Sequence, residues 1–114
     1  MPGVEHYLSE YKSMWLFTMF DLPVDDKRAR RDYVRFRNLL LDNGFTQMQY
    51  SVYARFCGSE EIAETYRRII ESKLPPDGYV RLLAVTDRQF GKMQSFHGKK
   101  RATNEPAPTQ LLLF

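Results

Sequence analysis

Asp21 is the acidic residue of this sequence that is best placed for chemistry. It follows an apolar run from Met14 to Phe20 that is typical of a buried strand, and Leu22 and Pro23 after it indicate a turn. A carboxylate held at the rim of a sheet can bind a hard cation such as Mg²⁺ through oxygen. A lone Asp is a weak metal site, however, and the motif alone favours a turn-initiating Asp that bonds the loop backbone.

Other side chains that commonly do chemistry lack the partners that such chemistry needs. His6 and His97 have no Cys or His neighbour at metal-binding spacing, and no zinc, P-loop or dinucleotide-binding motif occurs. Cys57 is the only cysteine, has no obvious base beside it, and is expected to be a small core residue. Zinc and nucleophilic mechanisms are therefore poorly supported. A single cysteine also excludes an intramolecular disulfide, which favours a cytoplasmic location.

Positive charge is concentrated in one stretch of the chain. The segment from position 27 to position 37 contains six basic residues and one acidic residue, so its net charge is +5. The formal net charge of the whole chain is +3. The six are Lys27, Arg28, Arg30, Arg31, Arg35 and Arg37. A basic patch on a near-neutral body indicates an anionic partner, nucleic acid first, although charge alone fits a solvated helix face equally well.

The spacing of apolar residues predicts how that patch is presented. Four apolar side chains recur at helical spacing and form one stripe that faces a core. They are Ala29, Tyr33, Phe36 and Leu40. At about 100° per residue, Lys27, Arg31 and Arg35 then lie on the opposite, solvent side of the helix. We therefore predict that these three cations, helped by Arg28, contact nucleic-acid phosphates rather than base edges.

The remaining patterns predict an alternation of strands and helices. In chain order these are a strand over 13–20, a helix from a cap at Asp25 or Asp26 to about Asp42, strands over 45–50 and 51–57, a helix capped by Ser59 and ended by the segment 75–78, and a strand over 79–86. This order is that of an α+β, ferredoxin-like βαββαβ fold, an antiparallel sheet with both helices on one face.

The chain of 114 residues is predicted to hold one such domain with short additions at its ends. Residues 1–12 form an N-terminal extension without signal-peptide order, 13–98 form the domain, 99–109 form a polar, proline-containing linker, and 110–114 form a C-terminal strand. No apolar run reaches the roughly 18 residues that span a bilayer, so we do not expect a membrane protein.

The last four residues, Leu111, Leu112, Leu113 and Phe114, are all apolar. They could be a floppy tail, but an exposed apolar segment of this kind invites pairing with a sheet edge. We therefore expect them to add a strand to the sheet of a second copy of the protein.

Several of these residues together resemble Cas2, the small CRISPR adaptation protein. The matching segments are Phe20-Asp21-Leu22-Pro23, then Arg31, Tyr33, Phe36-Arg37 and Leu40 in the helix, Gly44-Phe45, and Gln49-Tyr50-Ser51-Val52-Tyr53. The resemblance extends from about Met14 to Phe90 and includes the apolar end of the tail. Many members of the family carry Tyr before the Asp, where this chain has Phe20.

The resemblance implies a symmetric homodimer in which Asp21 of each subunit faces its twin and the pair holds one divalent metal, Mg²⁺ or Mn²⁺. It also implies a metal-dependent endonuclease for RNA or double-stranded DNA. In CRISPR adaptation the family's dimer bridges two Cas1 dimers and supports the protospacer duplex, while Cas1 cuts and joins. The segment Leu111 to Phe114 would then lie close to the Cas1 docking site.

Two alternatives follow from the same residues. The protein could be a pure scaffold that binds duplex DNA and Cas1 without any chemistry, or an endoribonuclease toxin of the related VapD type. Dependence of cleavage on Asp21 and metal separates the nuclease from the scaffold. Co-purification with Cas1 separates both of these from the toxin.

Overall fold

The protein is described by a computed structural model that covers residues 13–105. Its main elements are β1 (Met14–Asp21), α1 (Lys27–Asp42), β2 (Thr46–Gln49), β3 (Val52–Cys57), α2 (Glu60–Glu71) and β4 (Tyr79–Thr86). A short helix, α3 (Asp87–Gly91), and a hairpin of β5 (Ser95–His97) and β6 (Lys100–Ala102) follow. No helix within 13–105 has the length and apolar character needed to cross a membrane.

The first four strands form one antiparallel sheet in the order β2-β3-β1-β4. Strand β1 is therefore flanked by β3 on one side and β4 on the other. The two helices connect β1 to β2 and β3 to β4, so the predicted α+β, ferredoxin-like fold is confirmed. The pairing register places Asp21, the last residue of β1, opposite Tyr79, the first residue of β4.

One face of the sheet carries the main core beneath α1 and α2. Leu16 and Phe20 of β1 pack in one cluster with Phe36 and Leu40 of α1 and Ile70 of α2. Helix α1 begins where predicted, because the Asp26 carboxylate accepts a hydrogen bond of 2.8 Å from the Ala29 N–H. The apolar stripe predicted for this helix is thus confirmed at its centre.

The opposite face of the sheet, called the outer face below, is covered at one end only. There α3 places Phe90 parallel to the Trp15 ring, with ring centroids 3.9 Å apart. The Trp15 indole N–H donates a 2.7 Å hydrogen bond to an Asp87 carboxylate oxygen, which fixes the start of α3. Toward the other end Leu83 remains 52% exposed. The outer face therefore has a covered half and an open half within the described chain.

The segment after α3 differs from the linker predicted over 99–109. Residues Lys100–Ala102 form β6, which pairs with β5. The Asn104 amide donates hydrogen bonds to the carbonyls of Phe90 and Met93 and accepts one from the Ser95 hydroxyl. The polar composition was misleading, because side-chain amides and hairpin pairing order this stretch without apolar residues. The predicted extension 1–12, the linker residues 106–109 and the C-terminal strand 110–114 lie outside the described residues.

Removal of the Thr18 hydroxyl is expected to change the stability of the protein measurably. Thr18 is completely buried in the middle of β1, and its Oγ1 has no hydrogen-bond partner among residues 13–105. A buried, unsatisfied hydroxyl costs free energy, so Thr18→Val should raise the free energy of unfolding by about 1 kcal/mol in urea titrations. Thr18→Ser keeps the hydroxyl and loses a methyl group, and should lower it. A loss of stability in Thr18→Val would contradict this assignment.

Candidate metal and nucleic-acid site

Asp21 is exposed at the rim of the sheet. Side chains alternate between the two faces of a strand, so Asp21 shares the outer face with Trp15, Phe17 and Met19. Tyr79, opposite Asp21 on β4, is 73% exposed. The carboxylate thus stands at the open half of the outer face, at the end away from α3.

The backbone that leads into Asp21 is held by the turn between β2 and β3. The Phe20 N–H donates a 3.1 Å hydrogen bond to the carbonyl of Ser51. Ser51 has a φ of 65°, a left-handed conformation that is uncommon for a residue with a side chain. The sequence did not mark this turn, because Tyr50 and Ser51 are neither Gly nor Pro. The positive φ at Ser51 emerges only from the pairing of β2, β3 and β1.

The aromatic residues of the matched motifs support Asp21 from behind. The Phe20 ring lies 5.2 to 5.9 Å from the rings of Tyr33, Phe36 and Tyr53. Tyr53 is fully buried, and its hydroxyl accepts a 3.0 Å hydrogen bond from Nε of Arg37. Arg37 therefore belongs to the internal framework and not to the exposed basic stripe.

A divalent cation requires several ligands, which the described part of the chain can supply only in part. Within residues 13–105 no group of three or more His, Cys, Asp or Glu side chains could hold a metal ion. Mg²⁺ is commonly bound through one or two carboxylates together with substrate phosphates and water. One exposed Asp21 carboxylate per chain fits such a shared site and does not fit a metal cage built by the chain alone.

The structure places three of the four predicted phosphate-binding residues together. Lys27, Arg31 and Arg35 are exposed and line an open groove of about 920 Å³ along α1. Arg28 is exposed as well, but it borders a separate depression of about 400 Å³ whose lining includes four carboxylates. These are Asp25, Asp26, Asp32 and Asp77. Arg28 therefore faces a different electrostatic environment from the other three cations.

Two further cations line the same groove. Arg30 is one, and its Nη1 donates a 3.2 Å hydrogen bond to the Val24 carbonyl. Lys73, in the connection between α2 and β4, is the other. Sequence reasoning missed Lys73, because it is far from α1 along the chain and no local signal links the two segments. Among the described residues, Asp42 is the only carboxylate in the lining.

The charges on α1 work against the stability of the helix that carries them. Lys27 and Arg28 occupy the first turn, where the helix dipole disfavours positive charge, and that turn contains no acidic residue. Lys27 with Arg31, and Arg31 with Arg35, are like-charge pairs four residues apart, each unfavourable by about 0.2 to 0.5 kcal/mol. A helix face that only contacts water does not need clustered like charges. The clustering of cations on α1 therefore supports a ligand-binding role.

Helix α2 shows the opposite pattern. Arg67 lies 2.7 Å from Glu64 and 2.6 Å from Glu71, and these carboxylates satisfy its guanidinium. Among the described residues, the closest ion pair on α1 is Arg35 with Asp32, whose charged atoms are 3.9 Å apart. The exposed charges of Lys27, Arg31 and Arg35 are therefore less neutralised within the described chain than the charge of Arg67.

Cys57 is confirmed as a core residue. It is completely buried in the cluster beneath the helices. Burial raises the pKa of its thiol, which leaves less thiolate at neutral pH. The neighbouring Arg55 donates hydrogen bonds to the carbonyls of Asn43 and Phe56 and to the Tyr66 hydroxyl, so its charge is committed to structure. Neither residue forms part of a reactive site.

The described chain is thus a small ferredoxin-like domain with a carboxylate exposed at its sheet rim and a cationic helix beside it. Residues 14–93 match the family described as CRISPR associated protein Cas2. The chain is 50% identical to the CRISPR-associated endoribonuclease Cas2 of Parvibaculum lavamentivorans, over 89% of this chain and all of the relative. It is 42% identical to the protein of the same name from Flavobacterium psychrophilum, over 96% of this chain and 97% of the relative. The chain belongs to the Cas2 family.

Proposed function

We propose that this protein acts in CRISPR adaptation as a dimeric, nucleic-acid-binding partner of the Cas1 integrase and carries a metal-dependent endonuclease site at Asp21. The observation that carries the proposal is the exposed carboxylate at the end of β1, on a domain that also presents exposed cations along the α1 groove. The relatives' name, CRISPR-associated endoribonuclease Cas2, supports cleavage of RNA. Double-stranded DNA is the second substrate to test.

In this mechanism each part of the chain has a distinct task. Lys27, Arg31 and Arg35 bind backbone phosphates and hold the nucleic acid without reading its sequence. Asp21, with the Asp21 of a second copy, would hold Mg²⁺ or Mn²⁺ at the rim of the sheet. A bound divalent ion supplies polarisation of the scissile phosphate and a lower pKa for an attacking water. The aromatic cluster behind Phe20 keeps the carboxylate at a fixed position.

A homodimer is supported by the open half of the outer face. Phe17 and Met19 are only partly buried there, and Leu83 is exposed. Strand β4 is also an edge of the sheet, and within the described residues its outer side pairs with no strand. A second copy packed on this face by a twofold axis would bury these apolar residues and bring two Asp21 carboxylates together. The partner's residues 110–114 could then extend the sheet at β4.

Replacing Asp21 tests the endonuclease site. Asp21→Asn should reduce metal-dependent cleavage more than 100-fold, because the carboxylate is needed to hold the cation, while circular dichroism and dimer mass remain unchanged. Cleavage of RNA and of double-stranded DNA is measured with Mg²⁺ and with Mn²⁺. Asp77→Asn, an exposed carboxylate in the loop before β4, is the matched control. Parent-like cleavage by Asp21→Asn would exclude Asp21 as the metal ligand.

The alternative hypothesis, a scaffold without catalysis, predicts a different result for Asp21→Asn. It is favoured by the absence, within residues 13–105, of any group of three or more side chains that could hold a metal ion. If neither parent nor Asp21→Asn cuts, while Cas1-dependent integration still requires the protein, the scaffold role replaces the nuclease role. A protein that cuts RNA but does not bind Cas1 would instead support a VapD-like toxin.

Salt dependence tests the basic groove. The triple variant Lys27→Ala, Arg31→Ala, Arg35→Ala should reduce the slope of log K against log salt by about 2 to 3 for duplex DNA, since each phosphate contact contributes about 0.9. Lys73→Ala alone should reduce it by about 1. Fluorescence anisotropy at several salt concentrations measures both.

A control with the same change in net charge removes Arg67, Arg68 and Arg88 together. It should leave the slope of log K against log salt unchanged, because two of these residues are engaged with Glu64. An unchanged slope in the first triple variant would exclude the α1 groove as the interface. Equal effects in both triple variants would indicate that net charge alone determines binding.

The C-terminal segment can be tested without shortening the chain. Leu112→Pro keeps the segment apolar but removes one backbone N–H, so it should weaken strand addition. We expect a lower, more concentration-dependent unfolding midpoint, and weaker Cas1 capture in a pull-down. Leu112→Val, which keeps the N–H, is the control, and deletion of residues 110–114 should exceed the effect of Leu112→Pro. A deletion variant that dimerises and binds Cas1 like the parent would show that the segment is dispensable.

A further inference from the structure

Gly78 lies directly against the backbone of the candidate site. It precedes β4 and adopts a left-handed conformation with a φ of 94°. A Cβ at this position would lie 2.5 Å from the carbonyl oxygen of Asp21 and 2.8 Å from Cδ2 of Leu22. Both distances are far shorter than van der Waals contact. Only a residue without a side chain lets the α2–β4 connection approach the end of β1 so closely.

Two other glycines in the described chain show that this approach is particular to Gly78. Gly98 also has a positive φ, 65°, yet a Cβ there would meet nothing within 4 Å. At Gly44, with a φ of 83°, the nearest atom is Nε of the Arg55 side chain, at 3.1 Å. A side chain can shift, whereas the neighbour of Gly78 is backbone. Relief of that contact therefore requires movement of backbone, at Asp21, at residue 78 or at both.

We propose that Gly78 is a positioning residue for Asp21, because its missing side chain allows the start of β4 to fix the point at which the Asp21 carboxylate leaves the sheet. This inference rests on the function proposed for Asp21. In the sequence, Gly78 ends the segment Pro75-Pro76-Asp77-Gly78, which predicted only the end of a helix. In the structure, Gly78 of this segment also packs closely against the end of β1.

The surroundings of Asp21 leave little room for relaxation. On one side, the Phe20 N–H is hydrogen-bonded to the Ser51 carbonyl. On the other, Leu22 is buried in the core beneath α1. Ordinary contact begins at 3.4 Å, so a methyl group at position 78 would force residue 78 and the Asp21 carbonyl apart by about 0.9 Å. A misplacement of about 1 Å at a reacting group can reduce catalysis about 100-fold.

The test compares Gly78→Ala with Gly98→Ala in the full chain. Both variants force alanine into a left-handed conformation and share that cost, but only the first places a methyl group against Asp21. We expect Gly78→Ala to weaken Mn²⁺ binding, followed by electron paramagnetic resonance, and metal-dependent RNA cleavage, each by about 10- to 100-fold. Gly98→Ala should stay within about 3-fold of the parent in both, well under the loss typical of a displaced metal ligand. In NMR spectra, the amide resonances of residues 20–22 should shift in Gly78→Ala and should not shift in Gly98→Ala.

A second pair of variants keeps the test decisive if Gly78→Ala unfolds. Leu22→Ala removes the Cδ2 contact, so Leu22→Ala with Gly78→Ala retains the 2.5 Å clash with the Asp21 carbonyl and the 3.0 Å approach to the Leu22 Cα. This double variant should bind Mn²⁺ about 10-fold more weakly than Leu22→Ala alone. Equal binding by the two would overturn the positioning role.

The two hypotheses fail in different ways. The positioning role is overturned if Gly78→Ala binds Mn²⁺ and cuts RNA as well as Gly98→Ala does, while Asp21→Asn does neither. That result leaves the proposed function standing. Asp21→Asn that cuts like the parent overturns the proposed function and the positioning role with it. The proposed function and the positioning role are both supported if Gly78→Ala and Asp21→Asn lose Mn²⁺ binding and RNA cleavage while Gly98→Ala keeps them.

Discussion

The pairing of β1 along both of its edges is the constraint on which the rest of the molecule depends. It pairs with β3 from Met14 to Met19 and with β4 from Met14 to Asp21. Both faces are also packed, with Leu16 and Phe20 under the helices and Trp15 under Phe90. A strand held in four directions has little freedom to shift. The residue at its end therefore stands at a defined place, which a metal-binding carboxylate requires.

The surroundings of Asp21 combine rigidity with exposure. Its neighbours Phe20 and Leu22 are buried, but Asp21 itself is exposed. Ser51 and Gly78, both left-handed, approach from the two flanking strands. Left-handed backbone at a residue with a side chain is unfavourable and persists where surrounding structure imposes it, often near functional sites. The rim of the sheet has this character, whereas the centre of the sheet is regular.

Helix α1 connects this rim to the electrostatics of the surface. The same sixteen residues present Phe36 and Leu40 to the core and cations to the solvent. Docking of the apolar stripe on β1 offsets the repulsion among the cations, which an isolated helix would not tolerate as easily. The position of the groove relative to Asp21 is consequently set by the packing that holds β1. Changes in the core beneath α1 should therefore affect the groove as well as stability.

Much of this architecture could be predicted from the sequence, because it depends on local signals. The apolar run before Asp21, the cap at Asp26 and the stripe through Phe36 and Leu40 each reflect short-range periodicity or capping chemistry. Together with the order of elements, these signals were sufficient for the ferredoxin-like fold. The segment Asp21-Leu22-Pro23 and the motif from Gln49 to Tyr53 together indicated the family. The cations at Lys27, Arg31 and Arg35 were also placed on the correct side of the helix.

What the sequence could not show depends on contacts between distant segments. Lys73 reaches the α1 groove, Gly78 presses against Asp21, and Arg37 bonds Tyr53 only because the sheet and helices bring them together. The hairpin at Lys100 was hidden by polar composition, since hydrogen bonds from Asn104 order it in place of apolar burial. Local pattern therefore determined which elements form and which residue types could do chemistry. Tertiary packing alone decided which of those residues meet, because proximity across the fold leaves no trace in local spacing.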